Sequence, residues 1–131
     1  MFKPLIIIGT RPEIIKMYPI IEAFKFYKIK PIICFTGQHK KMAREMLSYF
    51  DIEPDYNLNV MVGHQSLGLL TGRLMKFFNL LFTVEKPDVT IVQGDTASAM
   101  CGALSSYYNK IPVAHVEAGL RTDDIYQPFP E

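Results

Sequence analysis

The chain has 131 residues, of which 49% are hydrophobic and 21% are charged, and its formal net charge is +1. This length corresponds to one domain, and the apolar fraction is sufficient for a hydrophobic core. The near-neutral charge balance argues against a nucleic-acid-binding protein and against a disordered tail. The densest basic cluster, Lys40, Lys41 and Arg44, is typical of a solvated helix face.

The two cysteines, Cys34 and Cys101, lie far apart in apolar surroundings, without a CxxC spacing or a disulfide framework. We therefore expect both to be reduced core residues of a cytoplasmic protein. The apolar run at residues 5–8 is much shorter than the about 20 residues that a membrane span requires. It has the length of a buried strand, and no membrane association is predicted.

Apolar runs and helical periodicity predict alternating strands and helices. In chain order, we expect a strand at 5–8, a helix that begins near residue 11, a strand at 31–35, a helix at 40–50, a turn at 54–57, a short strand near 58–60, a helix at 66–84, a strand at 89–92, a helix at 97–108 and a strand at 113–116. Pro19 predicts a kink or a restart in the first helix. The small residues of the helix at 97–108 should let it lie close to the sheet. The polar tail at 122–131 is expected to be mobile.

This alternation predicts an α/β fold with a mostly parallel sheet, right-handed crossovers and helices on both faces. In such sheets, ligands bind at the carboxyl ends of the strands. Four polar loops follow predicted strands and should therefore lie along one rim, at residues 9–13, 36–39, 93–96 and 117–121.

The first of these loops, GTRPE at 9–13, precedes a helix N-terminus, where an anion is favoured. A single glycine is neither a GxGxxG nor a P-loop motif, so we infer neither NAD nor ATP binding. Thr10, Pro12 and Glu13 could equally form an ordinary capped turn with a capping box. Arg11 favours the functional alternative, because an arginine on the rim could contact a phosphate.

Two acidic residues follow later strands. Asp95 is either the N-cap of the next helix or a functional carboxylate. Glu117 directly follows a predicted buried strand, with His115 two residues earlier and Arg121 shortly after. A carboxylate whose pKa is tuned by burial suits general acid–base catalysis. His115 could also be a satisfied core imidazole.

Other kinds of catalytic site have little support in the sequence. The three histidines, at positions 39, 64 and 115, lack the spacing of a metal site. No serine or cysteine lies in a nucleophile elbow, so covalent catalysis has no candidate. We expect no metal and no cofactor.

Five motifs occur in a fixed order: GTRPE at 9–13, TGQH at 36–39, QGDT at 93–96, HVEAGLRT at 115–122 and PFPE at 128–131. Together they resemble the non-hydrolysing UDP-N-acetylglucosamine 2-epimerases, and HVEAGLRT is the most specific of them. In the hydrolysing epimerases of sialic acid synthesis, a charged residue usually follows the Gly-Asp loop and the EAGLR run is altered. The intact motifs therefore favour the non-hydrolysing class.

This resemblance implies two Rossmann-like domains in the GT-B arrangement, with the active site in the cleft between them. It implies interconversion of UDP-GlcNAc and UDP-ManNAc by anti elimination of UDP to a 2-acetamidoglucal and re-addition, without a redox cofactor. The product would feed cell-envelope polysaccharides. Residues 1–131 would be the N-terminal Rossmann-like domain alone, and the C-terminal UDP-binding domain would be absent.

The resemblance also implies roles for individual residues. The catalytic carboxylates would be Asp95, Glu117 and Glu131. The substrate-binding residues would be Arg11, Lys16, Gly94, His115 and Arg121. Gln38 matches a position that contacts a second, allosteric UDP-GlcNAc, but a further position of that site, often glutamine, is Lys41 here, which argues against allosteric control.

Three hypotheses remain open at this point. The chain could be half of an epimerase that is inactive alone because its cleft has one wall. It could be a non-catalytic module that binds a partner or forms a homodimer. It could also be half of a split enzyme that a separate C-terminal chain completes.

Overall fold

The computed structural model describes residues 1–38, 40–119 and 121–127. The elements, in chain order, are β1 (Pro4–Ile8), α1 (Arg11–Phe26), β2 (Ile32–Phe35), α2 (Lys40–Tyr49), β3 (Tyr56–Asn57), α3 (Leu67–Glu85), β4 (Val89–Gln93), α4 (Ala97–Tyr108) and β5 (Val113–Val116). The strands form one parallel sheet in the order β3-β2-β1-β4-β5. The predicted α/β fold is confirmed, and the strand order reverses between β1 and β4, where ligands bind in folds of this type.

Helices cover both faces of the sheet. Leu5 and Ile7 of β1 pack in a cluster with α3 and α4, whereas Ile6 and Ile8 pack in a second cluster with α1 and α2. Every residue of β1 is buried. This explains why its sequence is an uninterrupted apolar run rather than an alternating one.

The small residues of α4 bring it close to the sheet, as predicted. A Cβ atom added to Gly102 would lie 2.5 Å from Cδ1 of Ile7. Cys101 on this helix and Cys34 on β2 are both buried free thiols. Burial raises the pKa of Cys34 to about 12, so its reactive thiolate form is suppressed.

Of the two outcomes predicted at Pro19, a kink or a restart of the helix, the restart does not occur. Helix α1 runs continuously from residue 11 to residue 26. Pro19 and Ile15, whose carbonyl group loses its helical hydrogen bond, are both exposed. Water can therefore satisfy that carbonyl group, and the helix tolerates the proline.

The position of β3 was predicted incorrectly. The strand lies at Tyr56–Asn57, within the predicted turn, and not at 58–60. The side chain of Asp55 accepts a hydrogen bond of 2.8 Å from the amide of Ile33, and the amide of Asp55 donates one to the carbonyl of the same residue. These bonds begin the pairing with β2 earlier than the turn-forming composition indicates.

Helix α3 is, among the described helices, the one long and apolar enough to cross a membrane by length and composition alone. In this fold, it packs against the sheet through Leu70, Leu74 and Phe78, which are at most 4% exposed. Its apolar character is thus partly that of a core helix.

Strand β5 is less covered than predicted. It pairs with β4 at the edge of the described sheet, and Val113, Ala114 and His115 are exposed. The prediction of a buried strand at 113–116 is therefore wrong for this chain. The expectation of a mobile tail at 122–131 falls partly on residues 128–131, outside the described residues, and stays a prediction.

Candidate active site

The turn between β1 and α1 is organised by the side chain of Glu13. This residue is 1% exposed. One carboxyl oxygen, Oε2, accepts a hydrogen bond of 2.6 Å from the amide of Gly9, and the other, Oε1, accepts one of 2.5 Å from the hydroxyl of Thr96. Thr10 is the N-cap residue but makes no side-chain capping bond. The predicted capping box therefore differs from the usual one in two ways. Thr10 does not cap the helix with its side chain, and Glu13 also binds the turn after β4.

Gly9 is required by close contacts in this turn. A Cβ atom at position 9 would collide with Oγ1 of Thr36 and would lie 2.7 Å from Oγ of Ser98. Ser98 donates a hydrogen bond of 2.8 Å to Oε1 of Gln38, and the hydroxyl groups of Thr36 and Ser98 are 2.9 Å apart. Gln38 is thus held beside the turn, and its predicted allosteric role stays a prediction.

In the turn between β4 and α4, the N-cap of the helix differs from the predicted one. Thr96 is the N-cap, and its hydroxyl oxygen accepts a hydrogen bond of 3.1 Å from the amide of Ala99. The alternative in which Asp95 caps the helix is therefore wrong. Asp95 is exposed and makes no hydrogen bond or ion pair with the described residues, so its carboxylate remains accessible to a ligand.

Gly94 lies in the same turn with φ at +69°. Its amide donates to the carbonyl of Val116, so this donor is used within the fold. Apart from its two chain neighbours, no described residue has an atom within 4 Å of a Cβ added at Gly94, so space is open beside it in the described part of the chain. The carbonyl of Gly94 accepts from Nε2 of His115 at 2.6 Å. Nε2 therefore carries the hydrogen, since a carbonyl oxygen can only accept. His115 is exposed, which excludes the core imidazole.

Glu117 follows β5 in the left-handed backbone conformation, with φ at +59°. Its Oε2 atom accepts hydrogen bonds from Lys16 of α1 and, at 2.6 Å, from Nε2 of Gln93 at the end of β4. The Lys16 ammonium lowers the pKa of Glu117. The side chain of Glu117 is 30% exposed. An ion pair, and not burial as predicted, thus tunes this carboxylate and holds it ionised.

Side chains from helix α1 and from the ends of β4 and β5 therefore meet at one site. Lys16 and Gln93 both contact Glu117, and Arg11 is exposed at the first turn of α1. Arg11 and Lys16 line an open hollow of about 630 Å³ with Pro12, Ile15 and Met42. Cations near a helix N-terminus suit an anionic ligand, and the carboxylate of Glu117 beside Lys16 suits proton transfer.

Some predicted residues are not placed in this cluster. Arg121 is exposed in the segment after β5. Glu131 and His39 lie outside the described residues. Within the parts of the chain that the structure describes, no group of three metal-binding side chains occurs.

Glu13 and Gln93 are site residues that sequence reasoning missed. The sequence indicates only a capping role for Glu13 and no role for Gln93. A polar residue at the end of an apolar strand was the available signal for Gln93, which is 5% exposed. No local pattern indicates the partner of Glu13, which is 83 positions away.

Comparisons with known proteins show which family the chain resembles. A family model described as UDP-N-acetylglucosamine 2-epimerase matches residues 23–131. The UDP-N-acetylglucosamine 2-epimerase of Escherichia coli K12 is 44% identical over 132 residues, which cover 98% of this chain and 35% of that protein. The chain thus spans about a third of the length of such relatives.

Solved structures with a similar fold include members of the same family. The UDP-GlcNAc 2-epimerase of Neisseria meningitidis bound to UDP-GlcNAc matches with a TM-score of 0.91 and 42% identity, over 99% of this chain and 35% of that one. The structure of S. aureus MnaA with UDP matches with a TM-score of 0.92 and 44% identity, over 100% of this chain and 35% of that one.

Proposed function

Because the chain belongs to the UDP-N-acetylglucosamine 2-epimerase family, we propose that it forms one wall of an active site that interconverts UDP-GlcNAc and UDP-ManNAc. The observation that carries this proposal is the contact of Lys16 and Gln93 with the carboxylate of Glu117, at the carboxyl ends of the strands. The strand order supports it, since this edge of the sheet is where ligands bind in such folds.

The proposed reaction has two stages. A base removes the proton from C2 of the sugar while the C1–O bond to UDP breaks, which leaves a 2-acetamidoglucal. UDP then adds back to C1, and a proton returns to the opposite face of C2. Asp95, Glu117 and Glu131 are the proposed proton carriers. Lys16 lowers the pKa of Glu117, so this carboxylate is ionised and has the free oxygen lone pairs to accept a proton, while the lowered pKa makes it a weaker base.

Five residues are proposed to bind the UDP-sugar: Arg11, Lys16, Gly94, His115 and Arg121. Arg11 is exposed at the first turn of α1, where the helix dipole adds to the attraction of its guanidinium for phosphate. The open space beside Gly94 would admit a ligand close to the backbone. For Gln38, the proposed role is contact with a second, allosteric nucleotide sugar.

The second wall of the cleft is proposed to come from sequence that corresponds to the remaining length of the relatives, either as a C-terminal domain or as a complementing chain. Homodimer formation and a cytoplasmic location are further parts of the proposal. No specific observation favours the alternative of a non-catalytic module.

An NMR titration of the ¹⁵N-labelled chain with UDP tests the binding role. We expect amide shifts at Arg11, Lys16 and Gly94, and a weaker affinity in Arg11→Ala. Lys25→Ala is the matched control, because Lys25 lies in the last turn of the same helix and pairs with Glu22. Shifts confined to the opposite edge of the sheet would contradict the proposal.

Proton NMR of UDP-GlcNAc incubated with the chain tests the need for a second wall. We expect no UDP-ManNAc with the chain alone, and turnover when the chain is combined with the C-terminal part of a relative. Formation of UDP-ManNAc by the isolated chain would show that one wall is sufficient.

A further inference from the structure

Glu13 is a buried acidic side chain with no place in the proposed reaction. Its two carboxyl oxygens have partners on different turns, the amide of Gly9 after β1 and the hydroxyl of Thr96 after β4. These turns carry Arg11 and Asp95, to which separate binding and catalytic roles are proposed above.

We propose that Glu13 is a positioning residue that holds the β1–α1 turn and the β4–α4 turn at a fixed separation, and thereby sets the distance between Arg11 and Asp95. This inference rests on the proposed function, because that function requires Arg11 and Asp95 to act on the same bound nucleotide sugar.

The sheet itself does not hold these turns together. The pairing between β1 and β4 ends at Ile6 and Ile91, although β1 continues to Ile8 and β4 to Gln93. Beyond that point the two strands have no mutual ladder, as is usual where strand order reverses and a crevice opens. Glu13 bridges this unpaired region from one side to the other.

Thr96 transmits the constraint along the second turn. Its hydroxyl oxygen accepts from the amide of Ala99, so its hydrogen is available to Glu13. Thr96 is therefore fixed to both α4 and Glu13, and Asp95 is the preceding residue. On the first turn, Glu13 holds Gly9, two residues before Arg11.

The position of Glu13 is unfavourable for an acid, which argues for a specific role. Burial raises the pKa of Glu13 to about 7, against hydrogen bonds to Thr96 and Gly9 that lower it. An apolar side chain of similar size would avoid this desolvation but could not join the two turns.

Two substitutions separate positioning from packing. Glu13→Gln keeps an oxygen to accept from Gly9 and gains an N–H group that can donate to Thr96. Glu13→Met fills a similar volume but bonds to neither group. Glu45→Met is the control, because Glu45 is an exposed glutamate on α2. The ligand-free readout is the hydrogen exchange of the Gly9 amide together with the amide shifts of Arg11 and Asp95.

In Glu13→Met we expect faster exchange at Gly9, displaced resonances at Arg11 and Asp95, and UDP affinity about tenfold weaker or more. Glu13→Gln should restore these resonances and bind within about twofold of the unsubstituted chain. Unchanged resonances and affinity in Glu13→Met would overturn the inference. If Glu13→Met does not fold, Thr96→Val is compared with Thr96→Ser, because only serine keeps the hydroxyl group that donates to Glu13. The readouts are then the Gly9 exchange and the Arg11 resonance on the β1–α1 turn, since the cap that valine also removes belongs to α4.

The two proposals fail in different ways. If the unsubstituted chain binds no UDP at the rim, the proposed binding role fails, while the ligand-free resonances still decide whether Glu13 joins the turns. If UDP binds at the rim but Glu13→Met changes neither readout, the proposed function stands and the positioning role is refuted.

Discussion

Replacement of Glu13 by glutamine should change how the stability of the domain depends on pH. In the folded chain, burial raises the pKa of this carboxyl from 4.5 to about 7. Below the unfolded value, both states hold the proton. As the pH rises from 4.5 to about 7, the unfolded chain releases the proton while the folded chain retains it, so the free energy of unfolding falls.

The size of this fall follows from the interval between the two pKa values. One pKa unit corresponds to about 1.36 kcal/mol, so Glu13 removes about 3 kcal/mol of stability between acidic and alkaline pH. Glutamine remains neutral and resembles the protonated acid. We therefore expect Glu13→Gln to match the unsubstituted chain near pH 4.5 and to be more stable by up to about 3 kcal/mol above about pH 8.

Urea unfolding followed by far-ultraviolet circular dichroism measures this difference, since the chain has no tryptophan. A difference of about 3 kcal/mol should move the urea midpoint by between about 1 and 3 M. Subtracting the two curves cancels the other titrating groups, and Glu45→Gln on the exposed face of α2 provides the control. Parallel curves for Glu13→Gln and the unsubstituted chain across this pH range would refute the reasoning.

Three other outcomes follow from contacts in the fold. Gly9→Ala should destabilise the domain by about 1–3 kcal/mol, because the added Cβ has no space. Gly72→Ala, in an open position on α3, should stabilise it by about 0.5–1 kcal/mol, and thermal unfolding measures both changes. Lys16→Gln should raise the pKa of Glu117, and a carboxyl carbon NMR titration in which that pKa stays unchanged would contradict the ion pair. Cys34 should resist alkylation until the chain is unfolded, because it is buried and its pKa is raised; rapid labelling of the native chain would disprove this.

Local patterns were sufficient for most of the fold. The apolar run at 5–8, the turn at 93–96 and the small residues of α4 each depend on neighbours in sequence, and the structure confirms all three elements. The strand β3 was misplaced because composition favoured a turn, while hydrogen bonds between Asp55 and Ile33 decided the pairing.

The environment of the acidic residues was predicted less well, since it depends on distant partners. Glu117 was expected to be tuned by burial, but it is paired with Lys16, which is 101 positions away. Asp95 was a candidate cap, but Thr96 takes that role and leaves the Asp95 carboxylate exposed.

The sequence by itself determined the alternation of strands and helices, and hence the parallel sheet whose geometry gathers the polar loops at one edge. It also determined the family, through short motifs in a fixed order. Only the tertiary structure decided which groups meet at that edge. The reversal of strand order places the turns after β1 and β4 side by side. The pairing between the two strands ends before these turns begin. A buried carboxyl group, with hydrogen bonds on both sides, spans the opening that results.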